Sequence, residues 1–159
     1  MENKDDRYFL QMAVDLAAEN VRSGKGGPFG AVIVKDGEVL ATGVNLVTTN
    51  NDPTAHAEVT AIRNATAKLN DFQLNGCTLY SSCEPCPMCL GAIYWARPER
   101  LVYATTKHDA ADAGFDDAFI YEELELPIAQ RHLQTECCPS ESFLLPFQLW
   151  KASEGKTEY

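Results

Sequence analysis

His56 and Glu58 stand two residues apart in TAHAEVTAI, and Cys83, Cys86 and Cys89 recur at intervals of three in SSCEPCPMCLGA. Imidazole and thiolate are donors for zinc rather than for magnesium or calcium, with iron left open by the same donors. If a helix opens at Pro87, Cys86 and Cys89 share one of its faces, and the positive end of its dipole favours their thiolate forms. His56 with two thiolates balances the charge of Zn²⁺ and leaves one coordination position open, as in catalytic zinc. Adding Cys83 would close the set into a structural Cys₃His site, which spacing alone permits. Cys83, however, ends a strand before Glu84-Pro85, and a closed site would leave Glu58 no water to act on. The open set is therefore expected, with the closed set as its rival.

The elements that must hold these residues follow from periodicity. Phe9, Leu10, Ala13, Leu16, Ala17 and Val21 form a helical stripe over 6–22, with Asp5 or Asp6 as cap. GAVIVKDGEVLATGV reads as a hairpin turning at Asp36-Gly37. A helix over 55–69 follows NNDPT, where Asp52 or Thr54 is available as its cap. CTLYSS reads as a strand, Pro85 and Pro87 open a helix running to about Trp95, and RLVYATT is a further strand. Beyond Lys107 the pattern weakens: a short helix or loop over AADAGFDDAFIYEELELP, a strand at HLQTECC (132–138) and a helix at FQLWKASEG. The order α, β, β, α, β, α, β predicts a sheet with helices on its faces, in one domain over 1–159.

Composition narrows the function classes. The 159 residues are 45% hydrophobic and carry a formal net charge of −10. That balance argues against a nucleic-acid partner, whose grip on phosphates rests on many Lys and Arg; RPER at 97–100 is the densest basic spot. The polar start MENKDDRYFL lacks a secretory pattern, and no apolar run suits a membrane span, so a cytoplasmic protein without membrane attachment is expected. In such a compartment the six cysteines suggest ligands or free thiols, and the vicinal Cys137 and Cys138 lie too late in the chain for the metal set.

HAE together with PCPMC matches the H-x-E and P-C-x-x-C pair of zinc-dependent nucleobase deaminases. The chain resembles the cytidine deaminase-like superfamily. Its longer stretches GGPFGAVIV, DPTAHAEVTAIR, SCEPCPMCLGAIYWARP and AGFDDAFIY are similar to bacterial guanine deaminases. The resemblance implies an α/β fold: a three-layer α-β-α sandwich around a mixed five-stranded sheet. It implies zinc on His56, Cys86 and Cys89, and hydrolysis of guanine to xanthine and ammonia. Zinc-bound hydroxide would attack C2 while Glu58 shuttles protons.

Substrate contacts are implied in the same way. Asn45 corresponds to a base-binding asparagine, and the N–H groups of Ala57 and Cys86 are candidate donors to the developing charge. Phe29 and Trp95 would flank the purine or sit in the core. Asp117 would accept from guanine N–H groups, or serve as a solvated loop acid. The family's exchange of C-terminal segments implies a homodimer in which Tyr159 reaches an active site. Two rivals stand: a tRNA adenosine deaminase or other nucleobase or nucleoside deaminase with the same zinc chemistry, and a non-catalytic module closed by Cys83.

Overall fold

The computed structural model describes residues 4–159. The chain divides into two compact units, the first running to Asp117 and the second spanning Ala118–Tyr159.

In the first unit, GAVIV is apolar at every position because its strand, β1 (Gly30–Lys35), is covered on both faces. Side chains alternate across a strand, so Ala31 and Ile33 enter one core while Val32 and Val34 enter the other. β1 pairs antiparallel with β2 (Glu38–Val44), and the turn holds Asp36 at φ 51° and Gly37 at φ 77°, as a tight two-residue hairpin requires. On its other edge β1 pairs antiparallel with β3 (Cys77–Cys83), which pairs parallel with β4 (Arg100–Thr105). The sheet is therefore mixed, in the order β2-β1-β3-β4. It has four strands among the described residues rather than the five expected. HLQTECC alternates suitably but stays irregular; alternation alone makes no strand without a ladder partner.

Helix α1 (Asp6–Arg22) covers one face through Phe9 and Ala13 against Val32, Val34 and Tyr80. Asp5 supplies its cap, with Oδ1 accepting from the Tyr8 N–H at 3.0 Å. The stripe departs from expectation at its end: Val21 is exposed, and Asn20 takes the buried position after Phe9, Ala13 and Ala17. A single-turn helix, α2 (Val47–Asn50), went unforeseen in the sequence. On the opposite face lie α3 (Ala57–Leu69) and α4 (Pro87–Ala96), whose Ala57, Ala61, Ala65, Ile93 and Ala96 share a core with Ala31, Ile33 and Leu79. That makes three layers. α3 lies unusually close to β2 because Gly43 lets it: a Cβ there would stand 2.3 Å from both the Ala57 carbonyl oxygen and the Ala61 nitrogen. The unit ends with α5 (Lys107–Asp112), closed by a capping box between Thr106 and Asp109.

A small polar cluster fastens α1 to the sheet. Tyr80 Oη donates to Asp6 Oδ1 at 2.7 Å, and Arg100 donates to both Asp6 oxygens at 3.3 and 2.8 Å. The Arg100 and Tyr80 donors hold the Asp6 carboxyl below its usual range, while burial and the Asp6 acceptor push Tyr80 up to about 12. A tyrosine whose folded pKa exceeds its unfolded value of about 10 stabilises the fold fully below pH 10. That contribution is lost as pH climbs toward 12. A Tyr80→Phe protein is expected to lose about 0.5–1.5 kcal/mol at neutral pH, for the missing hydrogen bond. Its Tm should then fall less steeply than the wild type's between pH 10 and 12; parallel slopes in the two melting series would refute the assignment.

The second unit consists of α6 (Ala118–Glu125), a 3₁₀ turn at Ile128–Gln130, another at Glu141–Leu144, and α7 (Leu145–Ala152), the C-terminal helix expected from FQLWKASEG. Glu123 anchors its middle, accepting from the His132 backbone N–H at 2.9 Å and lying 2.7 Å from His132 Nδ1. No helix among the described residues is long and apolar enough to cross a membrane.

Candidate active site and metal centre

Two helix N-termini carry the metal-type donors. His56 occupies the N-cap position of α3, and Cys86 that of α4, with Cys89 in the first turn of α4. Neither Asp52 nor Thr54 caps α3, contrary to expectation. They bond to each other instead, Thr54 donating to Asp52 Oδ1 from its N–H at 2.8 Å and its hydroxyl at 2.7 Å. Pro87 starts α4 because its missing N–H is no loss in a first turn and its φ suits the helix.

The geometry is that of a three-donor cluster. His56 Nδ1 lies 3.5 Å from Cys86 Sγ and 3.5 Å from Cys89 Sγ, and all three donor atoms lie within 4.8 Å of one another. Cys86 Sγ also accepts from the Cys89 N–H at 3.5 Å. Bonding to Cys89 and to His56 outweighs burial and draws the Cys86 thiol down to about 4; the same bond to Cys86 and burial drive Cys89 upward. The Cys86 partner raises His56 against the effect of burial. One ready thiolate, a second thiol beside it and an imidazole fit a zinc ion, which would displace the remaining proton. Cys83 is turned away: its Sγ lies 3.4 Å from the Thr106 carbonyl oxygen and outside the donor cluster. Three donors, not four, converge.

Glu58 sits in the first turn of α3 and is 6% exposed, a burial that pushes its carboxyl pKa up. Ser81 Oγ donates to its Oε1 at 3.1 Å. β3 presents Cys77, Leu79 and Ser81 to the face covered by α3 and α4, so a hydroxyl interrupts an apolar row opposite a buried acid. Sequence reasoning missed Ser81; that interruption was the available signal.

Other expected residues gather unevenly. Asn45 is buried at the end of β2, its Oδ1 accepting from the N–H groups of Gly27 at 3.4 Å and Val47 at 3.3 Å. Those two donors fix the amide's orientation. Ala57, fully buried, is the first residue of α3, where a backbone N–H has no acceptor within the helix. Phe29 packs edge-to-face on Phe115 with centroids 5.1 Å apart, which brings the loop after α5 over this side of the sheet. Phe115 too escaped the sequence reading, lying beside the acids that drew attention. Asp117 is half-buried, and its carboxyl pKa is raised by burial first and by the Cys86 charge second. Trp95 is 65% exposed near the end of α4, six residues and about 9 Å of helix rise beyond Cys89. Tyr159 belongs to the second unit and is exposed.

Residues 3–105 match the family model for the cytidine and deoxycytidylate deaminase zinc-binding region. The guanine deaminase of Bacillus subtilis is 58% identical over 151 residues, 95% of this chain and 97% of that one. A crystal structure of guanine deaminase from Bacillus subtilis superposes with a TM-score of 0.96 at 57% identity, covering 98% of this chain and 99% of the other. A tRNA-specific adenosine deaminase of Buchnera aphidicola is 34% identical over 139 residues, 86% of this chain and 91% of that protein.

Proposed function

The chain belongs to the cytidine and deoxycytidylate deaminase zinc-binding family, and from that premise we propose that it hydrolyses guanine to xanthine and ammonia. A buried carboxylate, two residues along α3 from a histidine that meets two cysteines, carries this reading. The full-length likeness to a guanine deaminase supports guanine as the base. His56, Cys86 and Cys89 would hold zinc. When bound there, zinc supplies Lewis acidity, drawing the pKa of a water toward about 7.

The chain's own groups supply the rest. Glu58 takes a proton from the attacking water and delivers it to the ring nitrogen beside C2, then takes the second proton from the hydroxyl now on C2 and passes it to the departing amine, which leaves as ammonia. Burial suits it to that task, because a raised pKa makes the carboxylate readier to accept the proton it must carry. Ser81 keeps Oε1 aimed. The N–H groups of Ala57 and Cys86, at two helix starts, face the developing charge. With its Oδ1 already engaged, Asn45 has its amide N–H₂ left to donate to a purine acceptor. Phe29 and Phe115 form an apolar wall, Trp95 adds a second aromatic surface, and Asp117 accepts from guanine N–H groups.

Ammonia release from zinc-loaded protein, measured in parallel on guanine, guanosine, adenine, cytosine and a tRNA transcript, tests this. Guanine is expected to be the best substrate, and Asp117→Ala to cut guanine turnover by about 10²-fold, for two lost hydrogen bonds to a buried site. Turnover confined to the transcript would move the assignment to the tRNA deaminases, against the weight of a net charge of −10.

The same reading extends to assembly. No residue of Ala118–Tyr159 is buried, and Phe119, Leu133, Phe143, Phe147, Leu149 and Trp150 are each at least 44% exposed. Forty-two residues bearing that much open apolar surface call for a cover. A second copy exchanging this segment would provide one, making a homodimer in which Tyr159 completes the partner's site.

A further inference from the structure

We infer that Asn20, on α1, is a positioning residue for substrate recognition: it sets the backbone of Asn45 and of the Gly26–Phe29 loop, and so aims the Asn45 amide. The inference rests on the reading of Asn45 as a base contact. Asn20 occupies the place on the buried stripe where Phe9, Ala13 and Ala17 call for another apolar side chain, and it is only 3% exposed. A buried amide is costly there unless its bonds are made.

Its Nδ2 donates to the Gly27 carbonyl at 2.9 Å and to the Asn45 carbonyl at 2.9 Å. Two carbonyl acceptors also fix which way the amide faces, since the flipped form would set oxygen against oxygen. Asn20 Oδ1 is left with no partner, alone in this among the buried side-chain N and O atoms described. An unsatisfied buried acceptor costs about 1–3 kcal/mol. An apolar residue would spare that oxygen but leave the Asn45 carbonyl without its donor, so the amide's return at this position is the placing of that carbonyl.

What the amide gains is a clasp on the residues around Asn45. Gly27 receives Asn20 on its carbonyl and gives its N–H to Asn45 Oδ1, so one short segment is held from both sides. Asn45 in turn gives its backbone N–H to the Phe29 carbonyl at 3.2 Å. The fit is close: a Cβ on Gly26 would stand 2.1 Å from the Asn45 carbonyl oxygen, so the loop lies directly on the residue it positions. The Asn20 carbonyl closes the other end, accepting from the Lys25 N–H at 3.1 Å and the Ser23 hydroxyl at 3.2 Å. With the clasp gone, the Asn45 amide and the Phe29 ring would lose their common registration, while the metal donors and Glu58, on other elements, would keep theirs.

The test compares Asn20→Ala, Asn45→Ala, the double variant and the control Ala17→Gly in zinc-loaded protein. The control costs about 1 kcal/mol of helix stability without touching the clasp. Asn20→Ala is expected to raise KM for guanine about tenfold with kcat within about twofold of wild type, the pattern of lost ground-state binding. Ala17→Gly should lower Tm and leave KM alone. If Asn20 acts through Asn45, Asn20→Ala adds nothing to KM in the Asn45→Ala background. Asn20→Ser, keeping one donor, should fall between the wild type and Asn20→Ala, and serves in place of the alanine variant if that fails to fold. An unchanged KM in Asn20→Ala beside a raised KM in Asn45→Ala overturns the inference and leaves the Asn45 contact standing. Multiplying effects in the double variant overturn it too, and an unchanged KM in Asn45→Ala removes the contact and the inference together.

Discussion

A Glu58→Gln protein is expected to keep its fold and its zinc while losing guanine turnover by between about 10² and 10⁴-fold, the usual contribution of a positioned proton carrier. Glutamine has the shape of the protonated acid, so the pocket between α3 and β3 is filled as before. Its amide oxygen still accepts from Ser81 Oγ, now 3.1 Å from Glu58 Oε1. Burial raises the Glu58 pKa, which means the charged form is the costly one in the fold. A neutral isostere removes that cost, and Tm should stay level or rise. The three donors lie on His56, Cys86 and Cys89, so metal per chain should match the wild type. Turnover, Tm and zinc content measured on one preparation separate the possibilities. A variant keeping more than about a tenth of the activity would show that the proton travels by another group. One that loses its zinc along with its activity would make Glu58 a support for the metal rather than a proton carrier.

The metal donors were legible in the sequence because their chemistry demands fixed residue types at short spacings, and a helix start at Pro87 turned those spacings into directions. The same local logic gave α1, the hairpin at Asp36-Gly37, α3, β3, α4 and β4 close to where they stand. What failed was non-local. Periodicity could not tell Val21 from Asn20 as the last buried residue of α1, since either is one turn beyond Ala17 and the choice depends on which carbonyls arrive opposite. HLQTECC alternates like a strand but forms none, because pairing is decided by a partner edge that a seven-residue window does not contain. Ser81 and Phe115 acquire their places only through residues 23 and 86 positions away, Glu58 and Phe29. Cys83 shows the reverse: its spacing matched the ligands, and only the Thr106 carbonyl, delivered by the N-cap of α5, shows where its thiol goes.

Mixing two inactive proteins should restore activity if the C-terminal segments are exchanged. One parent is Glu58→Gln, lacking the proton carrier; the other lacks Tyr159 and is expected to lose most turnover through weakened base binding. In an exchanged homodimer each site combines Glu58 of one chain with Tyr159 of the other. A heterodimer of the two parents then holds one site with both defects and one with neither. Purified through two different tags, it should show about half the wild-type activity per dimer, as one intact site in two requires. Without exchange, each site draws Glu58 and Tyr159 from the same chain. Every site in the heterodimer then carries one defect, and activity stays near that of the parents. The contrast does not depend on how strongly the dimer associates, provided light scattering shows two chains per particle. The exposed apolar side chains of Ala118–Tyr159 are the reason to expect recovery: a segment with no buried residue of its own gains its core from whatever covers it. A particle of one chain, or a heterodimer as inactive as its parents, would require a different cover for that surface and a different role for Tyr159.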